Sequence, residues 1–151
     1  MPELIEKMKV YLATNFALYL KSHNFHWNVT GSDFPQLHDF FEGVYQELWE
    51  ANDAIAEQIR QLDAYAPGSF DRYEQLSLIK GERNVPQAKE MVSKLNSDNK
   101  LIIPLLNSIY NMCEENEQYG LCNFIQDRMM AHTKLAWKLK SILGSTVKKG
   151  N

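Results

Sequence analysis

One helical stripe constrains this chain more than any other feature. From Phe34 to about Leu62, apolar residues recur at intervals of three and four, which is the period of one buried helix face. The stripe consists of Leu37, Phe41, Val44, Leu48, Ala51, Ile55, Ile59 and Leu62. We therefore predict one long amphipathic helix over this stretch.

A second line of residues runs one position further round the same helix. It contains a histidine, acids and aromatics: His38, Glu42, Tyr45, Trp49, Asp53 and Glu57. Because a helix rises about 1.5 Å per residue, His38 and Asp53 lie roughly 22 Å apart, too far for one metal ion. If the helix packs antiparallel against a twofold copy of itself, the His38 end of one chain meets the Asp53 end of the other.

A further histidine joins this arrangement through the segment VTGSD, whose Gly and Asp are typical of a tight reversal. The predicted site takes His26, His38 and Glu42 from one subunit and Asp53 and Glu57 from its neighbour. Nitrogen and oxygen donors without a thiolate suit Fe(II), Mn(II) or Zn(II). Taken singly, each residue is better explained as a solvated acid or a histidine bonded to a backbone carbonyl. All five on one consistent face favour a metal.

The segments HWNVTGSDF, QLHDFFEGVYQEL and DAIAEQIRQL resemble the Dps family, the mini-ferritins. The resemblance extends to AKEMVSKL and HTKLAWKL and implies a ferroxidase centre across a twofold interface. The matching positions are His26, His38, Glu42, Asp53 and Glu57, with Glu42 standing where aspartate is commoner.

The resemblance also implies what the site does. Two Fe(II) ions bind at each inter-subunit site and are oxidised to Fe(III), by hydrogen peroxide in preference to oxygen. The ferric product collects in a hollow shell of twelve subunits, which protects against oxidative damage. His26 and His38 are expected to hold the tighter iron, Asp53 and Glu57 to bridge or complete the pair, and Glu42 to tune the weaker position.

The whole chain predicts an all-α fold. With 151 residues, 44% of them hydrophobic, it supports a single ferritin-like domain over residues 1–151. Helices are predicted over Pro2 to Asn28, from around Pro86, and from the turn at Asn116–Gly120 to near Gly144. The long connection at residues 63–85 predicts a ferritin-like crossover carrying a short helix, which makes the second and third long helices of the bundle parallel.

Several single residues carry further expectations. Pro104 should kink the third long helix because it lacks an N–H donor. Cys113 and Cys122 are expected to be two buried small residues rather than a disulfide, although they could face each other across a helical hairpin. His132 reads as a hydrogen-bonded core histidine. His23 reads as a partly buried polar residue, with a supporting role beside His26 as the alternative.

Charge and composition bear on partners and location. No apolar run reaches the roughly 20 residues of a membrane span, and Glu3 and Glu6 do not fit a signal peptide, so we expect a cytoplasmic protein. The net charge of −3 weighs against general DNA binding. DNA-binding members of the Dps family often use a Lys-rich extension, but here only Lys148 and Lys149 follow the last helix.

The family's threefold pores, through which iron enters, are lined by acids near the start of the last helix. Gln118 and Asn123 stand at such positions, whereas Asp127 keeps an acid and Glu117 is a possible substitute. We therefore expect a weaker attraction for cations. Two alternatives to iron oxidation stay open at this point: a DNA-compacting protein, and a metal-free helical scaffold whose aromatic residues drive dimerisation.

Overall fold

The computed structural model describes residues 1–144, which form five α-helices and no strand. In chain order the helices are α1 (Pro2–Asn28), α2 (Phe34–Gln61), α3 (Phe70–Leu76), α4 (Ala88–Glu115) and α5 (Tyr119–Leu143). The four long helices form a ferritin-like bundle, and α3 is the short helix of the crossover. Lys148 and Lys149 lie outside the described residues.

The first two helices form an antiparallel hairpin. Residues 29–33 reverse the chain, and Gly31 adopts φ +112°, a conformation that L side chains rarely reach. Half-way along the pair, the Asn15 Nδ2 donates to the Leu48 carbonyl at 3.0 Å. The hairpin therefore brings the end of α1 beside the start of α2.

The long connection between α2 and α4 is tied to the side of α1. The Leu78 backbone N–H donates to Thr14 Oγ1 at 3.1 Å, and Asn24 Nδ2 donates to the Glu82 carbonyl at 3.4 Å. At one end of the bundle, Phe40 in the first turns of α2 and Val92 in the first turns of α4 line the same cavity. The starts of α2 and α4 thus lie at the same end of the bundle, so the predicted crossover is confirmed.

The apolar stripe of α2 faces the core. Its buried members are Leu37, Phe41, Val44, Leu48, Ala51, Ile55 and Ile59. Fully burying one such Leu, Ile or Phe side chain contributes about 1.5–3 kcal/mol. The acid and histidine face of α2 consequently points away from the bundle interior.

A polar network crosses the middle of the bundle. Arg128 donates to both carboxylate oxygens of the half-exposed Glu47, at 2.5 and 3.0 Å, and through Nε to the Tyr11 hydroxyl at 2.9 Å. His132 lies between that hydroxyl, 3.0 Å from its Nε2, and Asn99 Oδ1, 2.9 Å from its Nδ1. His132 is therefore a hydrogen-bonded core histidine, as predicted.

Other expectations concern α4 and the cysteines. Pro104 lies inside α4, which continues through it from Ala88 to Glu115. Cys113 and Cys122 are free and buried, so the prediction of two buried thiols is confirmed. Within residues 1–144, no helix is long and apolar enough to cross a membrane.

Candidate metal centre

Two of the predicted ligands, His26 and His38, meet at the turn end of the α1–α2 hairpin. Their rings stack with centroids 3.8 Å apart and planes 17° apart. The Nδ1 of each ring lies 2.8 Å from the backbone carbonyl of the other residue. Because a carbonyl only accepts, each Nδ1 carries the proton and donates it. With Nδ1 occupied in this way, Nε2 is the nitrogen of each ring that is left to bind a metal.

The second group of predicted ligands lies further along α2. Asp53 and Glu57 are one helical turn apart, and both are exposed. The pKa of Glu57 is raised, first by a hydrogen bond with Asp53 and then by the charge of that carboxylate. Two carboxyl groups this close repel each other when both are ionised. A bound cation would remove that repulsion, and carboxylate oxygens are suitable donors for it.

Glu42 follows His38 by one turn of α2 and is exposed. Among the described residues, its carboxylate makes no hydrogen bond or ion pair within the chain. Its position places it on the same face as His38, so the side chain is available to a ligand or to a neighbouring subunit.

The two groups of ligands do not meet within one chain. Among residues 1–144, no three His, Cys, Asp or Glu side chains converge in a way that could hold a metal ion. From Glu42 to Asp53 alone, the helical rise amounts to roughly 16 Å. A complete site with all five residues thus requires a second copy of the chain.

Aromatic side chains surround the histidine pair. The His23 ring stacks on Tyr45 with centroids 3.7 Å apart. The Trp27 ring, tilted by 31°, lies 4.0 Å from it between centroids, and the His23 Nδ1 lies 2.9 Å from the Tyr19 hydroxyl. Burial and the nearby His26 lower the pKa of His23. His23 is thus held among rings, which fits the expectation of a partly buried polar residue. The sequence signal for the contact between Tyr19 and His23 is their spacing of four residues on α1, which places them on one face of the helix.

Two tryptophans remain open to solvent beside the ligands. Trp27 and Trp49 are each 58% exposed. Trp49, Asn52, Asp53 and Ala56 also line a groove of about 570 Å³ next to the acidic pair. Exposed aromatic surface next to polar ligands is typical of a protein interface.

Comparisons with known proteins agree with the fold and the motifs. The sequence model of the ferritin-like domain family matches residues 5–148. An uncharacterised low temperature-induced protein of Nostoc is 35% identical over 87% of this chain and 75% of its own length.

Two solved structures are similar along almost the whole chain. Antigen TpF1 of Treponema pallidum has a TM-score of 0.91 at 28% identity, covering 95% of this chain and 93% of its own. A Dps protein of Vibrio cholerae, described as a member of the ferritin-like diiron-carboxylate proteins, has a TM-score of 0.90 at 25% identity. It covers 94% of this chain and 89% of its own. The chain belongs to the ferritin-like family and, within it, to the Dps proteins or mini-ferritins.

Proposed function

We propose that this protein oxidises Fe(II) at a site shared by two subunits and stores the ferric product inside a hollow oligomer. Family membership supports a general role in iron storage and protection. The observation that supports the specific proposal best is the reciprocal hydrogen bonding of His26 and His38, which leaves both Nε2 atoms free. Neither Nε2 has a hydrogen-bond partner among residues 1–144, so both are available to a metal ion.

The proposed dimer packs α2 antiparallel against α2 of a second copy. In that arrangement the His26, His38 and Glu42 group of each chain meets the Asp53 and Glu57 group of the other, which makes two identical sites. The contact would also cover Trp27 and Trp49, whose exposed rings are a cost for a monomer in water. We propose a shell of twelve subunits on the strength of the family alone.

The donor set fits iron. Two imidazole nitrogens and three carboxylates suit a borderline to hard divalent ion, and carboxylates also stabilise the ferric product. His26 and His38 would hold the tighter iron of the pair. Asp53 and Glu57 would bridge the two ions or complete the second position, and the long arm of Glu42 would reach the weaker one.

The overall reaction with hydrogen peroxide consumes both substrates without releasing radicals. Two Fe(II) give up one electron each, and peroxide with two protons becomes two water molecules: 2 Fe(II) + H₂O₂ + 2 H⁺ → 2 Fe(III) + 2 H₂O. Holding two irons together supplies both electrons at once, so no single iron is left to split peroxide into a hydroxyl radical. This pairing makes the proposed activity protective.

The test adds Fe(II) anaerobically to metal-free protein, then peroxide, while ferric absorbance is followed. A double variant, Asp53→Asn with Glu57→Gln, keeps the shape of the acidic pair but removes its charge. The matched control, Glu3→Gln with Glu6→Gln, removes two exposed acids at the start of α1. Fast oxidation in the parent and the control, lost in the double variant, supports the site. Equal traces for all three proteins would favour the metal-free scaffold.

A further inference from the structure

The two cysteines occupy opposite sides of the turn between α4 and α5. Cys113 lies in the last turns of α4 and Cys122 in the first turn of α5, with exposed fractions of 0% and 6%. Gln118 connects them through the backbone: its N–H donates to the Cys113 carbonyl at 2.8 Å, and its carbonyl accepts from the Cys122 N–H at 2.9 Å. These bonds hold the two residues against each other in a fixed geometry.

The two thiols differ in how deeply they are buried. Burial, and then the neighbouring Cys122, raise the pKa of Cys113 to about 12. Burial also raises the pKa of Cys122. Cys122 is the less buried of the two, so peroxide reaches it first. Cys122 also lies near the N-terminus of α5, where the helix dipole favours a thiolate.

We propose that Cys113 and Cys122 form an intrasubunit dithiol that hydrogen peroxide converts into a disulfide across the α4–α5 turn. In the first step the Cys122 thiolate attacks one oxygen of peroxide, the O–O bond breaks, and the products are Cys122 sulfenic acid and, with one proton, water. In the second step the Cys113 sulfur displaces the hydroxyl of the sulfenic acid. This forms the S–S bond, and the Cys113 proton leaves with the hydroxyl as a second water.

The two thiols should react with peroxide slowly, so the disulfide is a response to peroxide and not a permanent part of the fold. Both thiols are buried and their pKa values are raised, so reaction with peroxide is slow compared with an exposed, acidic thiol. The bond would close under sustained peroxide, which is the condition in which the proposed iron chemistry also operates. Closure would fasten the end of α4 to the start of α5 in a ring of about ten residues and restrict the unfolded chain.

The modification does not require the iron site, so it is tested on full-length, iron-free protein with a chelator present. The protein is incubated with hydrogen peroxide, quenched with catalase, unfolded and alkylated, and its peptides are identified by mass spectrometry. We expect a loss of both alkylatable thiols, a mass about 2 Da lower for the linked peptide, and a bridge within one chain. The thermal midpoint should rise by about 5 °C.

Two single variants test the assigned roles. Cys113→Ser leaves Cys122 without a resolving thiol, so sulfenic acid at Cys122 should accumulate and be trapped by dimedone. Cys122→Ser removes the attacking thiol, so Cys113 should stay reduced.

Met130 is 71% exposed on α5, so its oxidation to the sulfoxide shows that the peroxide dose was effective. Two reduced thiols beside an oxidised Met130 would overturn the proposal. Disulfides that join different chains, or trapping at Cys113 in preference to Cys122, would do the same.

Discussion

His26 and His38 hold each other in place: each ring donates its Nδ1 proton to the other residue's backbone carbonyl at 2.8 Å, and the rings stack 3.8 Å apart. Two residues twelve positions apart thereby fix each other's tautomer and orientation. In most metal sites a separate residue orients each histidine ligand. Here the α1–α2 hairpin does so with its own backbone, which couples the proposed iron chemistry directly to the fold.

Replacing one histidine should therefore affect both Fe(II) binding and the stability of the fold. His38→Ala removes one nitrogen donor and the ring that stacks on His26, whose Nδ1–H still donates to the carbonyl of residue 38. We expect Fe(II) binding, measured by anaerobic titration, to weaken by at least about tenfold. The loss of one hydrogen bond should cost about 1 kcal/mol in the free energy of unfolding.

His23→Gln is the matched control because His23 is an imidazole one turn away on α1 whose Nδ1 is already bonded to Tyr19. It should retain most of the binding. A larger loss from His23→Gln than from His38→Ala would mean that His23, not His38, is the ligand.

The Tyr11 hydroxyl should be important for stability and unimportant for iron oxidation. It accepts from Arg128 and contacts the Nε2 of His132 in the buried network. Tyr11→Phe leaves both partners buried without this bond, so we expect a loss of about 2–3 kcal/mol in the free energy of unfolding, measured with urea. Tyr110→Phe removes an exposed hydroxyl bonded to Glu114 and should change the value by at most about 0.5 kcal/mol. Equal effects would show that the core network contributes little.

His132 should make the protein sensitive to mild acid. Burial, and then the charge of Arg128, lower its pKa from 6.5 to about 3 in the folded chain. Below pH 6.5 the unfolded chain binds a proton at His132 and the folded chain does not. The contribution of His132 to stability is therefore fully present above pH 6.5 and is lost as the pH falls toward 3.

Between these two pH values His132 should change the free energy of unfolding by about 1.4 kcal/mol per pH unit. His132→Gln removes it, so the difference between parent and variant should shrink steadily from pH 6.5 to 4.5 in urea unfolding at constant protein concentration. A difference that does not vary with pH would contradict the assignment.

Local patterns predicted most of the fold. The apolar stripe determined α2 because helix periodicity is a property of neighbouring residues, and the predicted bounds of α1 and α2 agree with the structure to within one residue. The crossover followed from its length and its turn residues. Contacts between distant residues were not accessible in this way. Arg128 and Glu47 are 81 positions apart, and Arg128 and Tyr11 are 117 apart, with no pattern that links them.

For the site too, local spacing was informative and contacts between separate segments were not. Spacing on one helix placed His38, Asp53 and Glu57 on one face, and the reversal after α1 added His26. The exchange of hydrogen bonds between the two histidines depends on the three-dimensional path of the hairpin, so the sequence did not reveal it. The division of the ligands between two chains stays a prediction, and a mixing experiment addresses it directly.

Two inactive proteins should restore activity when they share a dimer. One carries His26→Ala with His38→Ala, and the other carries Asp53→Asn with Glu57→Gln. In a mixed dimer, one site takes its histidines from the second protein and its acids from the first, so it is fully native, and the other site loses both groups. Random pairing after co-expression should therefore recover about a quarter of the native sites, seen as ferric absorbance after peroxide. A site contained within one chain would give no recovery in mixed dimers, so activity equal to that of the separate variants would rule out the shared site.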